Sequence, residues 1–333
     1  IGGTLVTSTA TELNLLNGAT SLVTSLNGLS DCRVLNSSLF VGNSASSLDT
    51  TNSNTFNTAV GVTSLDAITT GKGNSALGDN SLTSNTEGEY NTAIGYKSLQ
   101  KNVDGDYNTA VGNNSLENNL GNNNTAMGRQ TLQANTTGNS NTAMGTGSLK
   151  QNTIGICNTS FGGDNMQANT EGEYNTAAGF QSLYSNQTGD KNTALGYSAG
   201  RSLTTGSNNV FIGQSAQPNN GTDSNEIVIG SATTGQGNNT VTLGNSDIDS
   251  VYMAQDSGAT VFCKGLTNTA GDGLQLLTNF GTDEKILIKN QQGEAADSIK
   301  LESTAGGINL ASATTLSSTL GVTGATTLSN VTI

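Results

Sequence analysis

Histidine is absent from the sequence, and this absence removes several classes of active site at once. Neither a Ser-His-Asp nor a Cys-His nucleophile can be built, and zinc sites with histidine ligands are excluded. Tryptophan is also missing, proline occurs once, and aromatic residues make up only 4 % of the chain. No phosphate-binding loop or dinucleotide-binding motif is present. We therefore expect no enzymatic activity, no cofactor and no metal centre.

Positive charge is scarce as well. The chain has 12 lysines and arginines against 25 aspartates and glutamates, which gives a formal net charge of −13. A nucleic-acid interface needs a basic stripe, and attraction to anionic lipid needs cationic groups. The sequence also lacks an apolar run of the roughly 18 residues that span a bilayer, and it lacks a signal-peptide pattern. We expect neither nucleic-acid binding nor membrane insertion.

What the sequence does contain is a repeat. The phrase Asn-Thr-Ala-x-Gly-x-x-Ser-Leu-x-x-Asn-x-x-Gly-x-x returns nine times between residues 57 and 206, with a step of 17 residues that is shortened once to 16. Its first asparagines are Asn57, Asn74, Asn91, Asn108, Asn124, Asn141, Asn158, Asn175 and Asn192. A short fixed period is typical of a solenoid, and this one suits a single β-solenoid coil. Below, the first asparagine is position 0 and later positions are counted from it.

Glycine recurs at two positions of each repeat. One column stands at position +4, as in Gly112, and the second follows about ten residues later at +14, as in Gly138. Such glycines mark places where the backbone adopts a positive φ or passes close to another backbone. The pattern predicts a coil with two corners and short strands between them.

Two adjacent apolar columns predict that both faces of the strand are covered. Position +2 is small, usually alanine, and neighbouring strand residues point to opposite faces, so +2 should fill the coil and +3 should face outwards. A large outward row favours association of identical chains. The predicted homotrimer interface consists of Val60, Leu77, Ile94, Val111, Met127, Met144, Phe161, Leu195 and Ile212.

These repeats resemble two known groups of proteins. Residues 91–99 and 192–200 are similar to the repeats of YadA-like heads in trimeric autotransporter adhesins, and closer still to the Asn-Thr-Ala-x-Gly repeats of phage and algal-virus tail fibres. The resemblance covers about residues 36–253. It implies an all-β fold, a left-handed parallel β-solenoid or β-roll with three chains side by side. Because adhesin-head coils are commonly shorter, the second asparagine of the repeat, as in Asn85, is expected to enlarge one corner.

The rest of the chain divides into two further segments. Residues 1–35 form an N-terminal connector, in which Thr9-Ala10-Thr11-Glu12 predicts a capping box and a short helix. Residues 36–253 form the repeat domain. Residues 254–333 show alternating segments joined by Gly, Asn and Asp, which predict a β-rich shaft. The chain lacks an initial methionine and ends inside a repeating pattern, so we expect it to be a piece of a longer polypeptide.

Several local features have competing interpretations. Cys32, Cys157 and Cys263 are far apart in sequence, so we expect buried free thiols rather than intrachain disulfides, with contacts between symmetry mates as the alternative. Glu171 with Glu173, or Asp247 with Asp249, offers a glycosidase or Ca²⁺ pair, although solvated corner residues explain them better. The threonine column at +1 suggests ice binding only if +3 were also threonine. The asparagine columns predict stacked amide ladders.

Taken with the resemblance, these features favour a structural attachment fibre outside the cell, either a viral tail fibre or a trimeric surface adhesin. Its expected partners are two further copies of itself, a host cell-surface glycan or protein receptor, and other fibre or baseplate proteins. A purely architectural extracellular filament and a polysaccharide depolymerase fibre are the alternatives.

Overall fold

The computed structural model describes residues 32–35, 37–41, 55–248 and 251, with only the backbone described for 32–35. The sequence-predicted N-terminal helix, the C-terminal β-rich shaft, and the residues Cys263 and Asp249 lie outside these ranges. The described strands form one 14-stranded sheet in which spatial order follows chain order. Strands β1 and β2 form an antiparallel hairpin, and each later strand pairs in parallel with the one before it.

The strand bounds show one short strand per coil. They are β1 (Cys32–Leu35), β2 (Ser38–Val41), β3 (Thr58–Val60), β4 (Ser75–Leu77), β5 (Thr92–Ile94), β6 (Thr109–Val111), β7 (Thr125–Met127), β8 (Thr142–Met144), β9 (Thr159–Phe161), β10 (Thr176–Ala178), β11 (Thr193–Leu195), β12 (Val210–Ile212), β13 (Ile227–Ile229) and β14 (Val241–Leu243). The predicted parallel β-solenoid with 17-residue coils is therefore confirmed. The expectation of several strands in each coil is wrong, because positions +4 to +16 form turns.

Consecutive coils are joined by backbone hydrogen bonds all the way round, including through the turns. In the coil that starts at Asn124, Thr125 donates to the carbonyl of Asn141, Leu132 donates to Ser148, and Thr136 donates to Thr153, at 2.8–3.0 Å. The N–H groups of residues in the turns thereby find partners one coil away, although these residues belong to no strand. Backbone groups buried without a partner are costly, so this pattern is what allows so much irregular chain to be buried.

The strand alternates as the sequence predicts. Alanines at +2, such as Ala110 and Ala143, are fully buried, and so are the leucines at +8, such as Leu116 and Leu149. Phenylalanine takes position +2 at both ends of the alanine stack, where Phe40 pairs with Ala59 and Phe211 pairs with Ala194. All of these side chains belong to one continuous apolar core.

The core keeps its volume where the pattern changes. In the coil that starts at Asn192, position +8 is Gly200 instead of leucine, and a β-carbon there would lie 2.7 Å from the ring of Phe211. The large residue therefore moves from +8 of one coil to +2 of the next. Close packing explains this exchange, because an unfilled leucine site would leave a cavity and a second large residue would clash.

The asparagine columns form two buried amide ladders, as predicted. In the first ladder, at position 0, each side-chain oxygen accepts the backbone N–H of the equivalent residue in the next coil, at 2.9–3.0 Å. From Asn57 to Asn192, each side-chain NH₂ of this ladder donates to the carbonyl of the second-column glycine in its own coil, at 2.7–2.9 Å. Asn209 donates instead to the carbonyl of Asp223. The first ladder ends at Glu226, whose Oε1 accepts from the N–H of Gly237 and whose buried Oε2 has no partner among the described residues.

The second ladder joins the asparagines at +11, from Asn85 to Asn186. Side-chain amides of successive coils bond to one another at 2.7–3.3 Å, and each also donates to the glycine carbonyl at +14. Ile68 and Leu203 occupy the same position in the flanking coils, so apolar residues close the ladder at both ends. These asparagines lie in the interior of the coil.

Glycine is required at +4 and at +14 for different physical reasons. At +4, Gly112 has a φ of 131°, and its β-carbon would lie 2.4 Å from the carbonyl oxygen of Gly128. At +14 the φ is ordinary, and glycine is needed because a β-carbon would clash both with the carbonyl of the next coil and, in most coils, with the +11 asparagine of its own coil. Positive φ values also occur without glycine at +6, +8 and +16, for example at Asn114, Leu116 and Tyr107. The coil thus has more sharp turns than its glycines reveal.

A ladder asparagine should be far more sensitive than a surface one. Asn141→Ala removes the acceptor for the backbone N–H of Asn158 and leaves that buried group unpaired. At about 1–3 kcal/mol for each stranded buried group, we expect a loss of about 2–4 kcal/mol in the free energy of unfolding, measured by urea denaturation. Asn113→Ala, at an exposed side chain, is the matched control and should cost under about 0.5 kcal/mol. Equal effects of the two substitutions would contradict the ladder's role.

Two glycines of neighbouring coils should differ in the same way in their sensitivity to substitution. Gly138→Ala places a β-carbon 2.5 Å from the carbonyl oxygen of Gly155 and should cost at least about 3 kcal/mol, because the coils must separate. Gly147 has a φ of 70° at position +6, where other coils carry Lys97, Asn114 or Gln130. Gly147→Asn should therefore cost less than about 1 kcal/mol by the same unfolding measurement. The opposite order would show that backbone angle, not coil spacing, selects the glycines.

Stability should be nearly independent of pH around neutrality. The described residues contain one ion pair, Lys72 with Glu89 at 3.2 Å, and the hydrogen bond that the Lys72 ammonium donates to the Glu89 carboxylate raises the pKa of Lys72 above its ordinary value of 10.5. A raised lysine pKa stabilises the fold below the ordinary value and loses this effect only as pH rises through the folded-state pKa. With no histidine in the chain, we expect the thermal midpoint to change by less than about 2 °C between roughly pH 5.5 and 8. A steep slope in calorimetry across that range would contradict this expectation.

Candidate assembly surface

The outward side chains at position +3 form a continuous apolar row along one face of the sheet. Strand pairing places them in register, so that Leu77 pairs with Ile94, Ile94 with Val111, and Met127 with Met144. We call this surface the apolar row; it consists of Val60, Leu77, Ile94, Val111, Met127, Met144, Phe161, Ala178, Leu195, Ile212, Ile229 and Leu243. Every residue of the sequence-predicted interface lies in it.

The apolar row is accessible along its whole length in the single chain. Leu77 is 50 % exposed and Phe161 is 42 % exposed, whereas the +2 alanines beside them are buried. Val60, Val111 and Ala178 are half-buried because their side chains are short. Neighbouring strands stand about 4.8 Å apart, and every residue at +3 from Val60 to Leu243 is apolar, so no polar residue interrupts the row.

The structure extends this surface beyond the sequence prediction. Ile229 and Leu243 continue the apolar row and are 38 % and 44 % exposed. Their strands, Ile227–Ile229 and Val241–Leu243, are rich in β-branched residues. This composition is the sequence feature that could have predicted the extension of the row. Threonines at +1, such as Thr125, Thr142 and Thr159, are partly exposed on the same face. The sheet face therefore carries one hydroxyl row and one apolar row, not the paired threonine rows of an ice-binding surface.

Exposed aromatic side chains stack in pairs that the repeat brings together. Tyr90 and Tyr107 lie 5.2 Å apart between ring centroids with 14° between ring planes, and Phe180 and Tyr197 lie 5.8 Å apart at 18°. Each pair is separated by 17 residues, which is one coil. Sequence reasoning missed both pairs, although aromatic residues at a one-coil spacing on an outward position were the available signal.

Two aspartate side chains, those of Asp106 and Asp190, form hydrogen bonds to the neighbouring coil. At position +15 a third, more exposed ladder joins neighbouring coils, in which Asp106 Oδ1 accepts from the N–H of Glu89, and Asp190 Oδ1 accepts from the N–H of Glu173. Glu171 is exposed. Within the described part of the chain, no three acidic or cysteine side chains are grouped so that they could hold a metal ion.

Cys157 differs from the sequence expectation of a buried thiol. It is free, as predicted, but its side chain is exposed. It occupies position +16 with a φ of 55°, on the same outward corner as Tyr107 and Tyr174. Other coils carry exposed residues at +16, such as Tyr107 and Tyr174, and Cys157 takes the same exposed place. The expectation that this thiol is buried was therefore wrong.

Two further findings complete the description. No helix within residues 55–248 or the N-terminal hairpin is long and apolar enough to cross a membrane. Comparison with family models, with characterised proteins and with solved structures gives no match.

Proposed function

We propose that the chain is part of a homotrimeric attachment fibre that projects a receptor-binding region from a virion or a cell surface. The observation that carries this proposal is the exposed apolar row, which runs unbroken along a sheet of stacked coils. The resemblance of the Asn-Thr-Ala-x-Gly repeats to tail fibres and trimeric adhesins supports it. Other fibre or baseplate proteins would hold one end, and a host glycan or protein would bind the other.

Association of three chains gives the apolar row a dry environment. If about 50 Å² of each side chain becomes buried, each contributes about 1 kcal/mol at roughly 25 cal/mol per Å². A row of this length then contributes on the order of 10 kcal/mol per chain before the entropy of association is subtracted. Because the row repeats with every coil, a closed arrangement of parallel chains would bury all of it at once.

Continuous coil-to-coil bonding suits a fibre. Each coil contacts only its neighbours, so length can increase without a larger core. The side-chain ladders and the backbone bonds run in the same direction, along the stack, and both oppose separation of the coils. Mechanical and proteolytic resistance would follow, which an appendage outside the cell requires.

The trimer can be tested with substitutions matched coil by coil. The triple variant Ile94→Asp, Val111→Asp and Met144→Asp places three charges in the apolar row, whereas Tyr96→Asp, Asn113→Asp and Thr146→Asp place the same charges two residues further on, at exposed positions of the same coils. Sedimentation should show a trimer for the unmodified chain and for the second variant. The first variant should be monomeric or unfolded, because buried unpaired carboxylates are strongly unfavourable.

Two results would overturn the assembly proposal. One is a native chain that sediments as a folded monomer. The other is a first variant that remains trimeric with an unchanged circular dichroism spectrum. Unfolding of the first variant alone would support the proposal only together with the trimeric state of the unmodified chain.

Attachment is tested separately from assembly. Fluorescently labelled trimer is incubated with intact bacterial, algal and animal cells, and bound fluorescence is measured by flow cytometry. Saturable binding to one class of cell supports attachment. A folded trimer that binds none of them would favour the purely architectural filament, and release of reducing ends from surface polysaccharide would favour the depolymerase.

A further inference from the structure

A groove lies on the surface of the described part of the solenoid, in the coils that start at Asn175, Asn192 and Asn209. It has a volume of about 600 Å³, and its walls include Gln181, Tyr197, Arg201, Ser202, Ser215 and Gln217. This volume lies within the range of about 300–1,000 Å³ that is usual for small-molecule sites. The groove and the apolar row are neighbours in the sequence. Leu195 belongs to the row, and Tyr197, two residues later, lines the groove.

The groove exists because the repeat changes in these two coils. Position +8, a buried leucine or methionine in earlier coils, becomes Gly200 and then Gln217. The side chain of Gln217 lies across the neighbouring coil, where its oxygen accepts from the N–H and hydroxyl of Ser202 at 3.0 and 2.9 Å and its NH₂ donates to the carbonyl of Ser198. Gln217 is thus a fixed polar wall.

An aromatic ring forms another part of the groove. Tyr197 stacks on Phe180, so one face of its ring is turned towards Phe180, while 54 % of the Tyr197 side chain stays exposed. A ring face carries partial negative charge, whereas the C–H groups of a pyranose ring are apolar and carry slight positive charge. Such an exposed ring matches the flat face of a sugar.

Arg201 supplies a cation to the wall of the same groove and is held there by two contacts. Its guanidinium carbon lies 5.1 Å from the centre of the Tyr184 ring, and its Nε donates to Gln181 Oε1 at 3.2 Å. The only ion pair within the described residues joins Lys72 and Glu89, so Arg201 has no carboxylate partner there. Its remaining N–H donors suit a carboxylate, which arginine binds through two parallel hydrogen bonds.

From this arrangement we propose that the groove binds a carboxylated saccharide, with a sugar ring on Tyr197 and the carboxylate on Arg201. In a chain with a net charge of −13, the Arg201 guanidinium supplies the positive charge that a single carboxylate needs at this place. The serine hydroxyls at the edge can exchange hydrogen bonds with sugar hydroxyls. The inference rests on the proposed attachment function, for which it names the receptor chemistry.

The test measures binding of three defined probes to the purified chain by isothermal titration calorimetry. The probes are oligosaccharides of N-acetylneuraminic acid, oligosaccharides of galacturonic acid, and neutral galactose oligosaccharides. At least one acidic probe should bind at least tenfold more tightly than the neutral one. Arg201→Gln and Tyr197→Ala should each weaken that binding at least tenfold.

Matched controls separate the groove from the general surface. Arg129→Gln removes an exposed arginine elsewhere, and Tyr96→Ala removes an exposed tyrosine at the same repeat position as Tyr197. Both should bind the acidic probe like the unmodified chain, and circular dichroism should confirm that all four variants are folded.

The proposal is overturned if no acidic probe binds, if Arg201→Gln binds as well as the unmodified chain, or if neutral and acidic probes bind equally. Sedimentation of the same samples keeps this outcome apart from the broader proposal. A trimer that attaches to cells without binding an acidic sugar refutes only the groove, whereas a stable monomer refutes the fibre whatever the sugar result.

Discussion

The register between one coil and the next is the constraint on which the structure depends. Each buried asparagine amide finds its partner only if the equivalent residue lies directly above or below it, and the same displacement aligns the alanines, the leucines and the backbone bonds. A slip of one residue would strand an amide in every coil. The polar interior therefore fixes the stacking, while the thin apolar core beside it supplies the gain from burial.

Much of this architecture can be predicted from the sequence because the same residue pattern returns in every coil. Alternation at +2 and +3 correctly predicted which side chains are buried, and the asparagine columns predicted the ladders. The left-handed turns at positions such as Leu116 and Asn114 could not be predicted, since glycine does not mark them. A leucine accepts this strained conformation because its side chain is buried and its N–H is bonded to the next coil.

The two candidate surfaces also differ in how far the sequence predicts them. The apolar row follows from local alternation, so a sequence is enough to find it. The groove depends on side chains that meet across coils, such as Gln217 and Ser202, and on a change in the repeat whose consequence appears only when the coils are stacked. A repeat pattern predicts what its regular positions do, but it does not predict the structural result of a residue that departs from the pattern. In a structure built from identical units, however, such departures are the places where a unique site can form.

The closed ends of the second amide ladder bear on how such a chain can evolve. Ile68 and Leu203 mark where the ladder starts and stops, and every coil between them presents the same two amide surfaces to its neighbours. Duplication or deletion of 17 codons within this interval joins compatible surfaces, whereas the same event outside it disrupts a specialised end. Related genes should therefore vary in length by whole coils in the middle, so that reach is adjusted by recombination while the two ends stay unchanged.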